Sequence, residues 1–105
     1  MGAIANPHEK RANVKIEKVG VVGAGLMGSG IAEVSARAGF DVLVREVDEA
    51  AAAKGRGRIE KSMNRAVDKE KMTAGERDEA LGRIAFTTEV DALADRDLVI
   101  EAIVE

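Results

Sequence analysis

The branched apolar residues Val19, Val21 and Val22 run up to Gly23, and from there the chain reads Gly23-Ala24-Gly25-Leu26-Met27-Gly28. A short continuous apolar run is the pattern of a strand buried on both faces, as in parallel sheets. Past the glycines the period changes. Gly28, Ile31, Ala32, Ser35 and Ala38 recur at helical spacing, and Gly39 stands where helices commonly end on glycine. A strand that turns through glycine directly into a helix has the start of a right-handed crossover, so the next strand is expected beside it and parallel.

The rest of the chain fits that constraint. Residues 40–46, FDVLVRE, read as the second strand. Asp48 is placed to cap a long helix running to about Lys69, with Ala52, Gly55, Ile59, Met63 and Ala66 on one face. Gly55 and Gly57 would each weaken that helix by about 1 kcal/mol against alanine, so tertiary packing is expected to account for both. Thr73 and Glu76 have capping-box spacing and open a short helix ending near Gly82. Residues 83–88 form a third strand, 89–94 a brief turn or helix, and a last strand begins near Asp97 and stops with the chain. The order β-α-β-α-α-β-α-β predicts an α/β fold, a doubly wound parallel sheet of about four strands that is incomplete. Charged residues 60–71 are expected to be a solvated helix face whose opposite charges support one another. Residues 1–14 are polar and are expected to be a flexible leader before a domain over 15–105.

Composition narrows the chemistry. With 105 residues, one small domain is accommodated. Two Phe and no Tyr or Trp leave Ala, Val and Gly to fill the core. There is no Cys, which excludes thiolate catalysis and Cys-based metal sites, and the single histidine, His8, falls in the expected leader. The net charge is −3 with both signs mixed, so there is no basic stripe for nucleic acid. No apolar stretch reaches the length of a membrane span, and a cytoplasmic protein is expected.

The glycine turn then carries the functional reading. Gly23 permits the tight turn out of the strand, Gly25 lets a pyrophosphate approach the backbone, and Gly28 lets the helix pack closely on the sheet. The helix N-terminus offers unpaired N–H groups and partial positive charge to the phosphates. Glu46 lies 18 residues after Gly28, at the carboxyl end of the second strand. A carboxylate there accepts the adenosine ribose hydroxyls and repels a 2′-phosphate, which favours NAD over NADP. Arg45, its neighbour in the strand, is expected to face the other way.

The stretches KVGVVGAGLMGSGIAEVSARAGFDVLVREVDEAA, GRIEKSM and ADRDLVIEAIVE together closely resemble the N-terminal NAD-binding part of the L-3-hydroxyacyl-CoA dehydrogenases, over nearly all of residues 16–105. The resemblance implies a Rossmann-type domain in which Gly23, Gly25, Leu26, Met27 and Gly28 cradle the pyrophosphate. It matches Glu46 to the family's ribose-binding acid, usually Asp. Ala102, Ile103 and Glu105 match the segment running toward the nicotinamide half, and Ser62 and Lys69 match contacts to the coenzyme A part of an acyl-CoA substrate. The family's catalytic histidine and glutamate, with the Ser and Asn that aid them, match no position here. The expectation is the NAD-binding portion of a homo-oligomeric 3-hydroxyacyl-CoA dehydrogenase of fatty-acid metabolism, without turnover by itself. A non-catalytic NAD-sensing module and another β-hydroxyacid-type dehydrogenase are the competing readings.

Overall fold

The computed structural model describes residues 15–103; the expected leader with His8, and Glu105, lie outside the described residues. Four strands form one parallel sheet: β1 (Lys18–Val22), β2 (Asp41–Arg45), β3 (Ile84–Thr87) and β4 (Leu98–Glu101), in the spatial order β3-β2-β1-β4. Three helices connect them: α1 (Leu26–Arg37), α2 (Glu49–Asp68) and α3 (Ala74–Gly82). A 3₁₀ turn, Val90–Asp95, leads from β3 into β4. The chain therefore steps outward from β1 to β3 and then returns to the other side of β1. That reversal between β1 and β4 is where open α/β sheets bind ligands, outside the carboxyl ends of the strands.

Local signals set the helix ends. Asp48 accepts the Ala51 N–H at 2.8 Å and so starts α2. Thr73 and Glu76 make the reciprocal bonds of a capping box at 3.0 and 2.8 Å and start α3. Gly39 takes φ +104° just after α1, a left-handed conformation that costs glycine nothing.

Strand alternation divides the sheet. Val19, Val21, Val42 and Val44 are buried on the face that meets Ala32 and Ala36 of α1, Ile59 and Met63 of α2, and Ala80 of α3. The opposite face carries the 3₁₀ turn, whose Leu93 lies over Gly20. With small residues throughout, helices and strands approach closely, and the largest fully buried side chains are Ile59 and Met63.

Four sequence expectations are corrected. Ala38 is exposed, because α1 ends at Arg37 and its buried face is Gly28, Ser29, Ala32, Glu33 and Ala36. Gly57 has no packing reason: a methyl there would meet nothing within 4 Å, whereas one at Gly55 would meet the Ala24 Cβ at 2.4 Å. None of the ion pairs among the described residues joins two residues of 60–71, consistent with the small net value of solvated pairs on long side chains. The last strand ends at Glu101, since its partner β1 turns away at Gly23 and only the Ala102 N–H still reaches back, to Val22 O at 2.8 Å.

Candidate functional site

Over the carboxyl ends of β2, β1 and β4 lies a cleft of about 240 Å³ lined by Val22, Gly23, Gly25, Arg45, Glu46, Val47, Ala102 and Ile103. Gly23 makes the turn out of β1 at φ +102°, where an L side chain would be strained. Its carbonyl supports α1 from below. A Cβ on Gly28 would lie 1.9 Å from Gly23 O and 2.8 Å from Gly23 C, so only glycine allows the first turn of α1 this close to the strand end.

Gly25 is different. It caps α1 at φ −71°, and a Cβ there would meet no protein atom within 4 Å. The fold does not need its bareness; space on the cleft side does. The N-terminus of α1 also has no side-chain cap and no acidic residue in its first turn, so its positive end is offered outward.

Glu46 follows the last residue of β2 and bends over the turn. Its Oε2 accepts the Ala24 N–H at 2.5 Å and its Oε1 accepts the Val47 N–H at 3.0 Å. Each carboxylate oxygen keeps a second lone pair, so two acceptor sites remain in a fixed orientation at the mouth of the cleft. This arrangement can hold a pair of adjacent hydroxyls, with an anion on the α1 N-terminus beside them. Arg45 is among the residues around the cleft, where its backbone oxygen accepts the Gly23 N–H at 2.9 Å, and its side chain is engaged past the end of β3, with Nε donating to Thr88 O at 3.2 Å.

The turn is also gripped from behind. Ala24 O accepts Ser29 Oγ at 2.8 Å and Arg58 Nη1 at 3.2 Å, and Ala24 Cβ packs where Gly55 leaves room on α2. Sequence reasoning missed Ala24, Ser29 and Arg58. Ser29 had a faint signal, one helical turn after Gly25; Arg58, 34 positions from its acceptor, had none.

The model of the 3-hydroxyacyl-CoA dehydrogenase NAD-binding domain matches residues 18–105. The chain belongs to this family. It is 62% identical over 90 residues to a 3-hydroxybutyryl-CoA dehydrogenase of Mycobacterium tuberculosis, an alignment covering 86% of this chain and 32% of that protein. Among solved structures it is similar to FadB2 of M. tuberculosis, with a TM-score of 0.86 at 61% identity over 88% of this chain and 32% of the other. It is likewise similar to the (S)-3-hydroxybutyryl-CoA dehydrogenase of Ralstonia eutropha, with a TM-score of 0.84 at 42% identity over 87% of this chain and 32% of the other. The chain thus spans about a third of the length of these relatives. The family's cofactor, NAD, fits the cleft on three counts already given: room over Gly25, the uncapped α1 N-terminus and the oriented Glu46 carboxylate.

Of the other residues singled out from the sequence, Ala102 is buried against the turn and Ile103 is exposed at the cleft. Leu26 and Met27 are 85% and 52% exposed and are not among the residues lining the glycine cleft. Leu26 instead lines a second cleft of about 280 Å³ between α1 and α2, shared with Ser29, Gly30, Ile59, Ser62, the acid Glu33 and the cations Arg58, Lys61 and Arg65. Ser62 is half-buried there; Lys69 stands exposed at the C-cap of α2, outside that lining. Among the described residues no helix is long and apolar enough to cross a membrane, and no group of acids or histidines could hold a metal.

Proposed function

We propose that this chain is the NAD-binding portion of an L-3-hydroxyacyl-CoA dehydrogenase, which oxidises the 3-hydroxyl of an acyl-CoA to a 3-keto group. NAD⁺ supplies the hydride acceptor. The observation that carries the reading is the Glu46 carboxylate, held by two backbone amides beside the open face of Gly25 at the sheet's switch point. In this reading the Gly23–Gly28 turn, with the first-turn amides of Leu26 and Met27, holds the pyrophosphate. Glu46 holds the adenosine ribose, and Ala102 and Ile103 flank the route toward the nicotinamide. The α1/α2 cleft takes the nucleotide end of coenzyme A: Ser62 offers a hydroxyl, and Lys61 and Arg65, with Lys69 at the end of α2, offer positive charge to its phosphates. We place assembly into a homo-oligomer in the parent enzyme.

Calorimetric titration of the chain with NAD and NADP tests this. NAD should bind, with NADP weaker. Glu46→Gln keeps the side-chain length but removes the charge and one acceptor oxygen, so it should weaken NAD by about tenfold or more, from a charged hydrogen bond worth roughly 1.5–3 kcal/mol. It should also narrow the preference over NADP. A chain that binds NADP more tightly, or a variant that binds NAD unchanged, refutes the assignment.

A further inference from the structure

One backbone oxygen in the turn collects two donors from two different helices. Ser29 Oγ, buried on α1, reaches Ala24 O at 2.8 Å, and the Arg58 guanidinium on α2 reaches it at 3.2 Å. The Ala24–Gly25 peptide is trans, so its carbonyl and its N–H point in opposite directions. Pinning the oxygen on the helix side therefore turns the Gly25 N–H to the other side, and Gly25 is part of the cleft lining.

We propose that Arg58 is a positioning residue of the dinucleotide site: with Ser29 it fixes the Ala24–Gly25 peptide so that the Gly25 N–H is presented to the cofactor's pyrophosphate. The inference rests on the reading that this cleft binds NAD. It assigns the residue a task at the phosphate end of the ligand and none at the ribose end, where Glu46 stands. Arg58 acts through the peptide and need not touch the ligand. Because two donors share the acceptor, either alone keeps the peptide partly fixed, and loss of both frees it.

The test compares the unsubstituted chain with Arg58→Met, Arg58→Lys, Ser29→Ala and the Arg58→Met/Ser29→Ala double variant. Each is titrated with NAD and with adenosine, which lacks the pyrophosphate, by chemical-shift mapping. Arg58→Met should weaken NAD about three- to tenfold, the range expected for one net hydrogen bond, while adenosine binding stays unchanged. Arg58→Lys, which keeps a donor and the charge, should recover part of the loss. The double variant should lose more than the product of the single losses. In the ligand-free chain the Gly25 amide resonance should already shift in Arg58→Met. The inference is overturned if Arg58→Met binds NAD as the unsubstituted chain does, or if NAD and adenosine weaken in the same ratio. Failure of Arg58→Lys to recover any binding also overturns it. If the unsubstituted chain binds no NAD, this inference and the proposed function fall together.

Discussion

A methyl group added at Gly25 and one added at Gly28 should have opposite consequences, although the two glycines are three residues apart in one motif. At Gly28 the new Cβ would sit 1.9 Å from Gly23 O and 2.8 Å from Gly23 C, both backbone atoms that cannot swing aside. Relief requires α1 to lift from the strand end, against the packing of Ala32 and Ala36 in the core. Overpacking of this kind costs about 1–3 kcal/mol or more, against about 1 kcal/mol gained from alanine's helix propensity. The clash involves rigid backbone on one side, so the cost should prevail and Gly28→Ala should be destabilised by roughly 1–2 kcal/mol net. At Gly25 nothing lies within 4 Å and the backbone is extended at φ −71°. Gly25→Ala should therefore fold as stably as the parent, or be stabilised by about 0.4–1 kcal/mol through the unfolded chain. Its methyl would nevertheless occupy the space over the turn, and NAD affinity should fall tenfold or more. Denaturant unfolding gives the stabilities and calorimetry the affinities. A Gly28→Ala chain as stable as the parent, or a Gly25→Ala chain that loses stability but keeps its NAD affinity, would refute the division of labour between these glycines.

Two further outcomes follow from contacts distant in sequence. Gly55→Ala drives a methyl to 2.4 Å from Ala24 Cβ and should destabilise by about 1–3 kcal/mol; adding Ala24→Gly removes the opposing methyl, so a double-mutant cycle should show recovery, and additive losses would contradict it. At the amino end of the sheet, the Arg96 guanidinium, aided by Lys18, holds the Asp95 carboxyl at about 2, and the backbone N–H groups of Glu17 and Lys18 hold Asp97 below its ordinary value. Both folded values lie below the unfolded value of 3.8, so the stability they give is present above about pH 4 and is lost as pH falls toward 2. Melting temperatures should be level from about pH 7 to 5 and fall below 4, and Asp97→Asn should flatten that fall; a level profile down to pH 2 would contradict it.

Features that depend on neighbours along the chain were legible. Asp48, the Thr73–Glu76 box and the Ala52-Gly55-Ile59-Met63 face lie where spacing placed them, because capping and helical burial are decided within one to four residues. Gly55 and Gly57 mark the limit of such reading. Their sequence signatures are alike, yet one is required by the Ala24 methyl and the other faces open space.

The sequence alone determined the order of strands and helices, the glycine turn and the acid that faces it, since each is encoded by residue type at short range. Which helix holds the turn, and from which side, was decided only when α1 and α2 packed on one face of the sheet. Folding brought Ser29 and Arg58 onto the same carbonyl of Ala24 and drew Glu46 to its amide. Arg58 and Glu46 lie 34 and 22 positions from Ala24, so their contacts depend on where the folded chain returns, which no local pattern records.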